Sequence, residues 1–344
     1  MNLRQYLIEA FDRDSTIAEI SSKLQTTPDD ALMDVLRFVS QERIDKEQII
    51  QYFKDREIDD VWKHVVRIIK DNNRDYNNFI QLIKGELPVP DSSILKYNGN
   101  IYQHFQNIFS FDTLQEICAF APARHSVTRG AGEILCRLIL KDIDKGKADV
   151  HAGGLAFEFK GDDARVRSSV MKSPAAINDK FKKMYPDIDY KAVFGEKGGI
   201  FRNEKVIDNL FDIISDDNDI KKKLPELLLA QFDSSRSERR EIEELVERNM
   251  NVLRNKSKER YNLISRFFGV IDLYYYHKQE KFDYFIVGKP SANKAKDIAS
   301  YISIPGNDLE SMIDIFNIPI LRFSGYPRSE SASQDSAVHV HANI

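Results

Sequence analysis

The first part of the chain repeats apolar residues at helical spacing. The segments "IAEISSKL", "ALMDVLRFV", "DKEQIIQYFKD" and "DDVWKHVVRIIKD" place their apolar residues three or four positions apart, which is the spacing of an amphipathic helix. The stretch "GELPVPDSS", residues 85–93, then brings a glycine and two prolines and has the composition of a linker. We therefore predict a helical N-terminal domain over residues 1–86.

The pattern changes after residue 95. We predict a helix from Ser126, then a β-hairpin, then mostly helical residues from 173 to about 275. "FDYFIVGK" has the apolar run of a buried strand, "KAKDIASYI" is predicted as a helix, and "IPILRFSGY" as the last strand. This order predicts an α/β (α+β) domain over residues 95–327, with a helical insertion at about 173–255. The polar, serine-rich residues 328–344 predict a flexible tail.

The segment "KADVHAGGLAFEFKG", residues 147–161, has the pattern of a β-hairpin. The two glycines at 153–154 predict its turn, because type I′ and II′ turns need positive φ. With the turn there, Asp149 faces Glu158 across the two strands, and Lys160 lies on the same face two positions further on. The valine and the two phenylalanines of the segment then fall on the opposite, apolar face.

Three charged side chains on one face of a hairpin need an explanation. Directly opposed carboxylates repel each other unless a positive charge offsets them. A divalent cation can do so, since Mg²⁺ prefers oxygen ligands and takes few protein carboxylates. Lys160 can then orient or deprotonate an attacking water, or stabilise charge at phosphorus, in metal-assisted phosphodiester hydrolysis. The alternative is an exposed hairpin on which Lys160 pairs with Asp149 or Glu158.

These residues resemble the signature of the PD-(D/E)xK nuclease superfamily, an acidic residue on one strand followed by (D/E)xK on the next. Asp149 in "ADV" and Glu158 and Lys160 in "EFK" match it. "TRGAGEILCRLIL" resembles the helix that often precedes the hairpin and places Glu133 near its start, and "FDYFIVG" and "IPILRFSGY" resemble later strands. Two departures are Ala148, where the family has proline, and the roughly 120 residues between the hairpin and "FDYFIVG".

The resemblance implies a restriction-endonuclease-like mixed sheet flanked by helices. It implies Mg²⁺-dependent hydrolysis of DNA phosphodiester bonds by an endonuclease of restriction or phage type, with Mn²⁺ as a substitute metal. Glu133, Asp149 and Glu158 would be catalytic residues that bind the metal, and Lys160 would serve the water and the transition state.

The helix that carries Glu133 allows two interpretations. Glu133, Arg137 and Lys141 form its only polar stripe, at four-residue spacing. The stripe is either solvated, with a glutamate–arginine pair that contributes about 0.2–0.5 kcal/mol, or Glu133 completes the metal shell. Gly130 and Gly132 favour the second interpretation, because glycine lets another segment approach closely.

A basic segment follows the hairpin. Its basic residues are Arg165, Arg167, Lys172, Lys180, Lys182 and Lys183, against the single acid Asp179. We predict that they bind the DNA backbone, with Ser173-Pro174 starting a helix whose N-terminus binds phosphate; a solvated basic surface is the alternative. The net charge of −4 argues against non-specific coating of nucleic acid but allows a local basic groove.

Composition predicts where the protein is located, and the sequence leaves two other functions open. The sequence has no run of eighteen apolar residues, no signal-peptide pattern and two cysteines outside any CxxC pair, which predicts a cytoplasmic (intracellular) protein without membrane contact or structural zinc. DNA is the expected partner, and both a monomer and a homodimer are open. The first alternative is a non-catalytic DNA-binding or assembly protein with the nuclease fold. The second is a transcriptional regulator, since "TIAEISSKLQTTPDDALMDVLRFVSQERID" faintly resembles a helix-turn-helix.

Overall fold

The computed structural model describes the chain in separate stretches. The described residues are 46–58, 61, 64–65, 68, 73–119, 130–161, 164–166, 176–195, 200–201, 203–288, 300–309, 311, 321–324 and 338–342. The helices predicted before residue 46, including the helix-turn-helix-like segment, lie outside this part of the chain. So do Arg167, Lys172 and the predicted helix start at 173–174.

The described elements are mostly helices. The helices are α1 Lys46–Asp55, α2 Asn73–Lys84, α3 Ile101–Phe105, α4 Phe111–Ala119, α5 Ala131–Ile139, α6 Ala176–Met184, α7 Tyr190–Phe194, α8 Glu204–Ile213, α9 Asp217–Leu228, α10 Arg236–Arg248, α11 Met250–Leu253 and α12 Lys258–Glu280, with a 3₁₀ helix at Ser92–Lys96. The strands are β1 Gly99–Asn100, β2 Val150–Ala152, β3 Leu155–Gly161, β4 Ala164–Val166, β5 Tyr284–Gly288, β6 Ser300–Pro305, β7 Leu321–Ser324 and β8 Val338–Ala342. The protein is therefore an α+β protein, as predicted.

Helix α1 buries the apolar stripe that predicted it, and α2 lies within the helical region predicted over residues 1–86. Ile49 and Phe53, four positions apart on α1, are fully buried. The Phe53 ring lies edge-on to Phe79 of α2, with 6.2 Å between the ring centroids. The helical spacing found in "DKEQIIQYFKD" is thus confirmed, and it is explained by the packing of one helix against the other.

Hydrogen bonds join α1 and α2 to residues beyond the predicted linker. The hydroxyl of Tyr52 donates to the carbonyl of Leu138 over 2.6 Å, and both groups are buried. Asp75, fully buried on α2, accepts hydrogen bonds from the backbone N–H and the hydroxyl of Ser110. The boundary at residue 86 stays a prediction, but the described helices before it are packed against the residues that follow.

A mixed five-stranded sheet has the order β1-β6-β5-β3-β2. β1 pairs antiparallel with β6, and β2 pairs antiparallel with β3. β5 confirms the buried strand predicted at "FDYFIVGK". The helix predicted at "KAKDIASYI" is wrong for residues 300–302, which begin β6. Tyr301, Ile302 and Ile304 are buried, and a short apolar run buried on both faces has no periodicity that separates strand from helix.

A second sheet has the order β4-β8-β7. β8 pairs antiparallel with both neighbours, with Arg165 opposite His339 and Phe323 opposite Val340. The flexible tail predicted over 328–344 is therefore wrong for residues 338–342, whose alternating "VHVHA" has the period of a strand. β7 confirms the strand predicted in "IPILRFSGY", but this strand lies beside β8 and not in the sheet that contains β5.

Between β4 and β5 the described residues form helices, as predicted for residues 173 to about 275. The longest, α12, begins after Ser257, whose hydroxyl accepts a hydrogen bond from the N–H of Arg260. Glu238 in the first turn of α10 is buried and accepts hydrogen bonds from the Tyr274 hydroxyl at 2.6 Å and from Lys278 Nζ at 2.7 Å on α12. None of the described helices has the length and the apolar composition needed to cross a membrane.

The chain forms two compact units. The first unit comprises Met1–Gly161 and Gly288–Ser303, and the second comprises Asp162–Val287 and Ile304–Ile344. The hairpin singled out by the sequence lies in the first unit, and helices α6 to α12 lie in the second.

Candidate active site

The hairpin has the turn and the register that the sequence predicts. Gly153 and Gly154 have φ of +58° and +74°, the left-handed region that glycine enters without strain. Val150 pairs with Phe157 and Ala152 with Leu155. One position before the first of these pairs, Asp149 meets β3 through its side chain, whose Oδ2 accepts a hydrogen bond of 2.9 Å from the N–H of Phe159.

The loop that precedes β2 fixes the turn in place. The N–H of Gly153 donates to the carbonyl of Asp142 at 2.8 Å, and the N–H of Gly154 donates to the carboxylate of Asp144 at 3.0 Å. The Asp142 carboxylate in turn accepts a hydrogen bond of 2.6 Å from the hydroxyl of Ser92. Both turn glycines are thus held by carbonyl or carboxylate oxygens, so the position of the charged face depends on this loop.

Lys160 brings the two carboxylates of the hairpin together. Its Nζ donates to Oε1 of Glu158 and lies 3.7 Å from Oδ2 of Asp149. The three side chains differ in exposure: Glu158 is 8% exposed, Lys160 23% and Asp149 32%. Asp149, Glu158 and Lys160 therefore share one side of the hairpin, with Glu158 innermost and Asp149 nearest to solvent.

The electrostatics of this face are perturbed. Burial raises the pKa of the Asp149 carboxyl above its ordinary value, and the charge of Glu158 raises it further. Lys160, the N–H of Phe159 and Arg137 oppose this rise without cancelling it. A carboxyl group that is crowded by a second carboxylate gains from any additional positive charge near it.

Glu133 is buried at the start of α5, with 4% of its surface exposed. Its Oε2 accepts a hydrogen bond of 3.2 Å from the N–H of Gly130, and its Oε1 lies 3.5 Å from Nε of Arg137. The solvated stripe considered from the sequence is therefore wrong, while a metal-binding role for Glu133 stays a prediction. A Cβ on Gly132 would lie 3.5 Å from the Phe159 ring, so strand β3 does come close to the start of this helix.

Arg137 is the residue that sequence reasoning missed. It is 1% exposed and donates from Nε to the carbonyl of Asp149 at 2.8 Å and from Nη2 to the carbonyl of Ala148 at 3.3 Å. Its Nη1 donates to the carboxylate of Glu57 at 2.9 Å. One signal was present in the sequence: all of residues 132–139 except Glu133 and Arg137 are glycine or apolar, and a helix that is apolar on nearly every side has no face for a solvated stripe.

The carboxylates fit a divalent cation in part. Asp149 and Glu158 supply two hard oxygen ligands beside a partly open position, and Mg²⁺ is usually held by one or two carboxylates together with waters and substrate phosphates. Over the described ranges, no group of three or more histidine, cysteine, aspartate or glutamate side chains is arranged to hold a metal ion.

The basic segment is only partly described. Arg165 lies in β4. On α6, Lys180 pairs with Glu226 at 2.5 Å, and Nζ of Lys182 lies 5.1 Å from the centroid of the Tyr190 ring. Lys183 is exposed and lines an open cavity of about 340 Å³ in the second unit. The other residues that line this cavity are Ala176, Asp179, Lys180, Glu226, Leu229, Ala230, Phe232, Ser234 and Arg239. Arg239 adds a positive charge that the linear sequence did not associate with this segment.

Comparison with known proteins gives no relative. No family model matches the sequence, and no curated protein or solved structure shows significant similarity to it.

Proposed function

We propose that this protein is a divalent-metal-dependent nuclease that hydrolyses DNA phosphodiester bonds at the hairpin, with a core of the restriction-endonuclease-like type. One observation carries the proposal: Lys160 Nζ contacts Glu158 and lies 3.7 Å from Asp149, so an ammonium and two carboxylates converge beside solvent. Two acids and a lysine in this arrangement are the groups that metal-assisted phosphodiester hydrolysis needs.

Each side chain has a distinct task in this proposal. Asp149 and Glu158 would hold Mg²⁺, or Mn²⁺ in its place, and Glu133 would act at the edge of the site. The bound cation would supply Lewis acidity at the phosphate and a more acidic water. The N–H of Phe159 holds Oδ2 of Asp149 in place. Lys160 would orient or deprotonate the attacking water, or stabilise the negative charge that develops on the phosphate oxygens.

The second unit would contribute contacts to the DNA backbone. One cavity is lined by three positive charges, those of Lys180, Lys183 and Arg239, and by two negative charges, those of Asp179 and Glu226. Because phosphate contacts dominate the salt dependence of DNA binding, Lys183→Glu together with Arg239→Glu should weaken DNA binding and reduce the slope of log affinity against log salt by about 1 per lost contact. Lys205→Glu together with Lys222→Glu, at exposed positions of α8 and α9 outside the cavity, changes the net charge equally and is the matched control.

Cleavage of supercoiled plasmid tests the catalytic proposal. The wild-type protein should nick or linearise the plasmid with Mg²⁺ or Mn²⁺ and leave it intact with EDTA. Asp149→Asn should abolish cutting, because it removes a charged oxygen ligand while it keeps the size of the side chain. Asp112→Asn, at an exposed position in the first turn of α4, changes the net charge equally and should still cut.

The same three side chains permit one competing interpretation. Lys160 already neutralises Glu158, so the cluster could be an ion pair in a DNA-binding protein that does not cut. That interpretation predicts DNA binding without metal dependence and no cleavage under any metal condition. Cleavage by wild-type protein that Asp149→Asn abolishes would exclude it, whereas equal cleavage by both proteins would place the activity elsewhere or in a contaminant.

A further inference from the structure

Arg137 holds the backbone that carries Asp149. Its guanidinium donates to the carbonyls of Ala148 and Asp149, the two residues immediately before β2. The side chain of Asp149 accepts a hydrogen bond from the N–H of Phe159 and lies 3.7 Å from Nζ of Lys160. A shift of this backbone would therefore displace the Asp149 carboxylate from its partners on β3.

Arg137 also connects three separate parts of the first unit. It lies beside Glu133 on its own helix, at 3.5 Å, and binds the Asp149 carbonyl before β2. It reaches the segment after α1 through the Glu57 carboxylate at 2.9 Å and the Arg56 carbonyl at 3.2 Å. A guanidinium has five N–H donors in a rigid plane, and these acceptors surround a side chain that is almost completely buried.

We propose that Arg137 is a positioning residue, which holds the Asp149 carboxylate beside Glu158 and Lys160. Because Arg137 also binds the segment after α1, the position of the Asp149 carboxylate depends on that segment. This inference rests on the function proposed above. Arg137 acts through the backbone of Asp149 and through Glu133, so it would touch neither metal nor DNA. Residues that orient metal ligands from behind typically affect metal affinity or activity about 10–100-fold when they are replaced.

The contacts of α1 give this arrangement a fixed base. Glu57 has a left-handed backbone, with φ of +54°, a conformation that a residue other than glycine keeps only where its surroundings hold it. The guanidinium of Arg56 lies 3.7 Å from the centre of the Tyr52 ring, and the Tyr52 hydroxyl bonds to α5 at Leu138. The carboxylate of Glu57 is thereby presented to Arg137 in one defined place.

The test uses the full chain with Arg137→Lys, which keeps the charge but loses the planar set of donors. Calorimetric titration with Mn²⁺ alone should show affinity about 10–100-fold below wild type. Amide hydrogen exchange should show faster exchange of the Phe159 N–H, because its acceptor on Asp149 is no longer held. The Arg254→Met variant, which breaks the exposed pair with Asp217 in the second unit, should change neither measurement.

A second variant covers the risk that substitution of a buried arginine disturbs folding. Arg137→Ala leaves a cavity large enough for a guanidinium ion. If the variant is folded by circular dichroism, millimolar guanidinium should partly restore the Mn²⁺ affinity and the slow hydrogen exchange of the Phe159 N–H. If the variant is unfolded, the result for Arg137→Lys decides between a positioning role and none.

Wild-type Phe159 protection in folded Arg137→Lys would overturn the proposal, whatever the activity. A different pair of results would refute the proposed function but keep the positioning role. In that case Arg137→Lys loses the Phe159 protection, while the wild-type protein binds no Mn²⁺ and cuts no DNA.

Discussion

Replacement of Lys160 by methionine should separate metal binding from cleavage. The ammonium of Lys160 contacts both carboxylates that we propose as metal ligands, so a cation and the ammonium compete for the same charges. Methionine keeps most of the length of the side chain and removes the charge. We expect Lys160→Met to bind Mn²⁺ more tightly than the wild type and to have lost cleavage.

The size of the effect follows from the geometry. Two unit charges about 4 Å apart interact by about 4 kcal/mol at an effective dielectric constant of 20, close to the 3.7 Å between Lys160 Nζ and Asp149 Oδ2. Desolvation offsets much of this: exposed pairs contribute about 0.2–1 kcal/mol, and loss of one partner from a buried pair costs about 3–5 kcal/mol. The partly buried Lys160 lies between these limits, so about 1–2 kcal/mol, or a factor of roughly 5–30 in Mn²⁺ affinity, is expected.

Two measurements test this expectation. Calorimetry gives the Mn²⁺ affinity directly, and thermal unfolding with and without Mn²⁺ gives the linked change in stability. Without metal, Lys160→Met should unfold a few degrees below the wild type, since two carboxylates then face each other without an ammonium; Mn²⁺ should remove most of that difference. Lys147→Met, at an exposed lysine two residues before Asp149, changes the net charge equally and should leave affinity and cleavage unchanged.

Two results would refute the reasoning. If folded Lys160→Met cuts at the wild-type rate, Lys160 has no part in the chemistry. If it binds Mn²⁺ more weakly than the wild type, the ammonium does not compete with the cation, and Asp149 and Glu158 do not form the metal site.

Three further predictions concern the fold. Burial would raise the pKa of Glu238, but hydrogen bonds from Lys278, Tyr274 and Ser235 lower it to about 2. The stability that the ionised Glu238 contributes is therefore complete above the unfolded-state pKa and is lost as pH falls from about 4.5 to 2. Glu238→Gln should reduce the pH dependence of the free energy of unfolding in that window. A chain beginning near Pro90 should lose stability and activity, because it lacks the partners that α1 and the segment after it give to α5; equal melting temperatures would contradict this. Gly153→Ala should lower the melting temperature more than Gly154→Ala, because a Cβ at 153 would lie 2.5 Å from Asp142 Oδ2, whereas at 154 it meets no atom within 4 Å and only the positive φ is unfavourable.

What the sequence predicted well was local. The hairpin register follows from two adjacent glycines and from strict alternation, both contained in fifteen residues, and the structure has the same pairs. The buried strand β5 was equally clear, because its apolar run is short and bounded. β6 was assigned as a helix because its apolar run, unlike that of β5, follows "KAKDIA" with no glycine or proline between them, and a short run buried on both faces has no period of its own. β8 was assigned to a tail because both of its partners are short strands, and one of them, β4, lies far away in the sequence.

Arg137 could not be predicted in the same way, because its role depends on residues far away in the chain. Its partner Glu57 lies 80 positions earlier, and the linear sequence shows only a glutamate and an arginine four residues apart on one helix. That spacing usually indicates an exposed pair. Burial of the whole helix turns the same two residues into an internal ionic network.

The crowding of the two hairpin carboxylates supplies a further argument for a cation at this place. Burial raises the pKa of the Asp149 carboxyl and the charge of Glu158 raises it further, although Lys160 Nζ lies only 3.7 Å from Oδ2 of Asp149. A divalent cation beside Asp149 and Glu158 would add positive charge where the two carboxylates repel each other. Metal binding should therefore stabilise the first unit as well as enable cleavage.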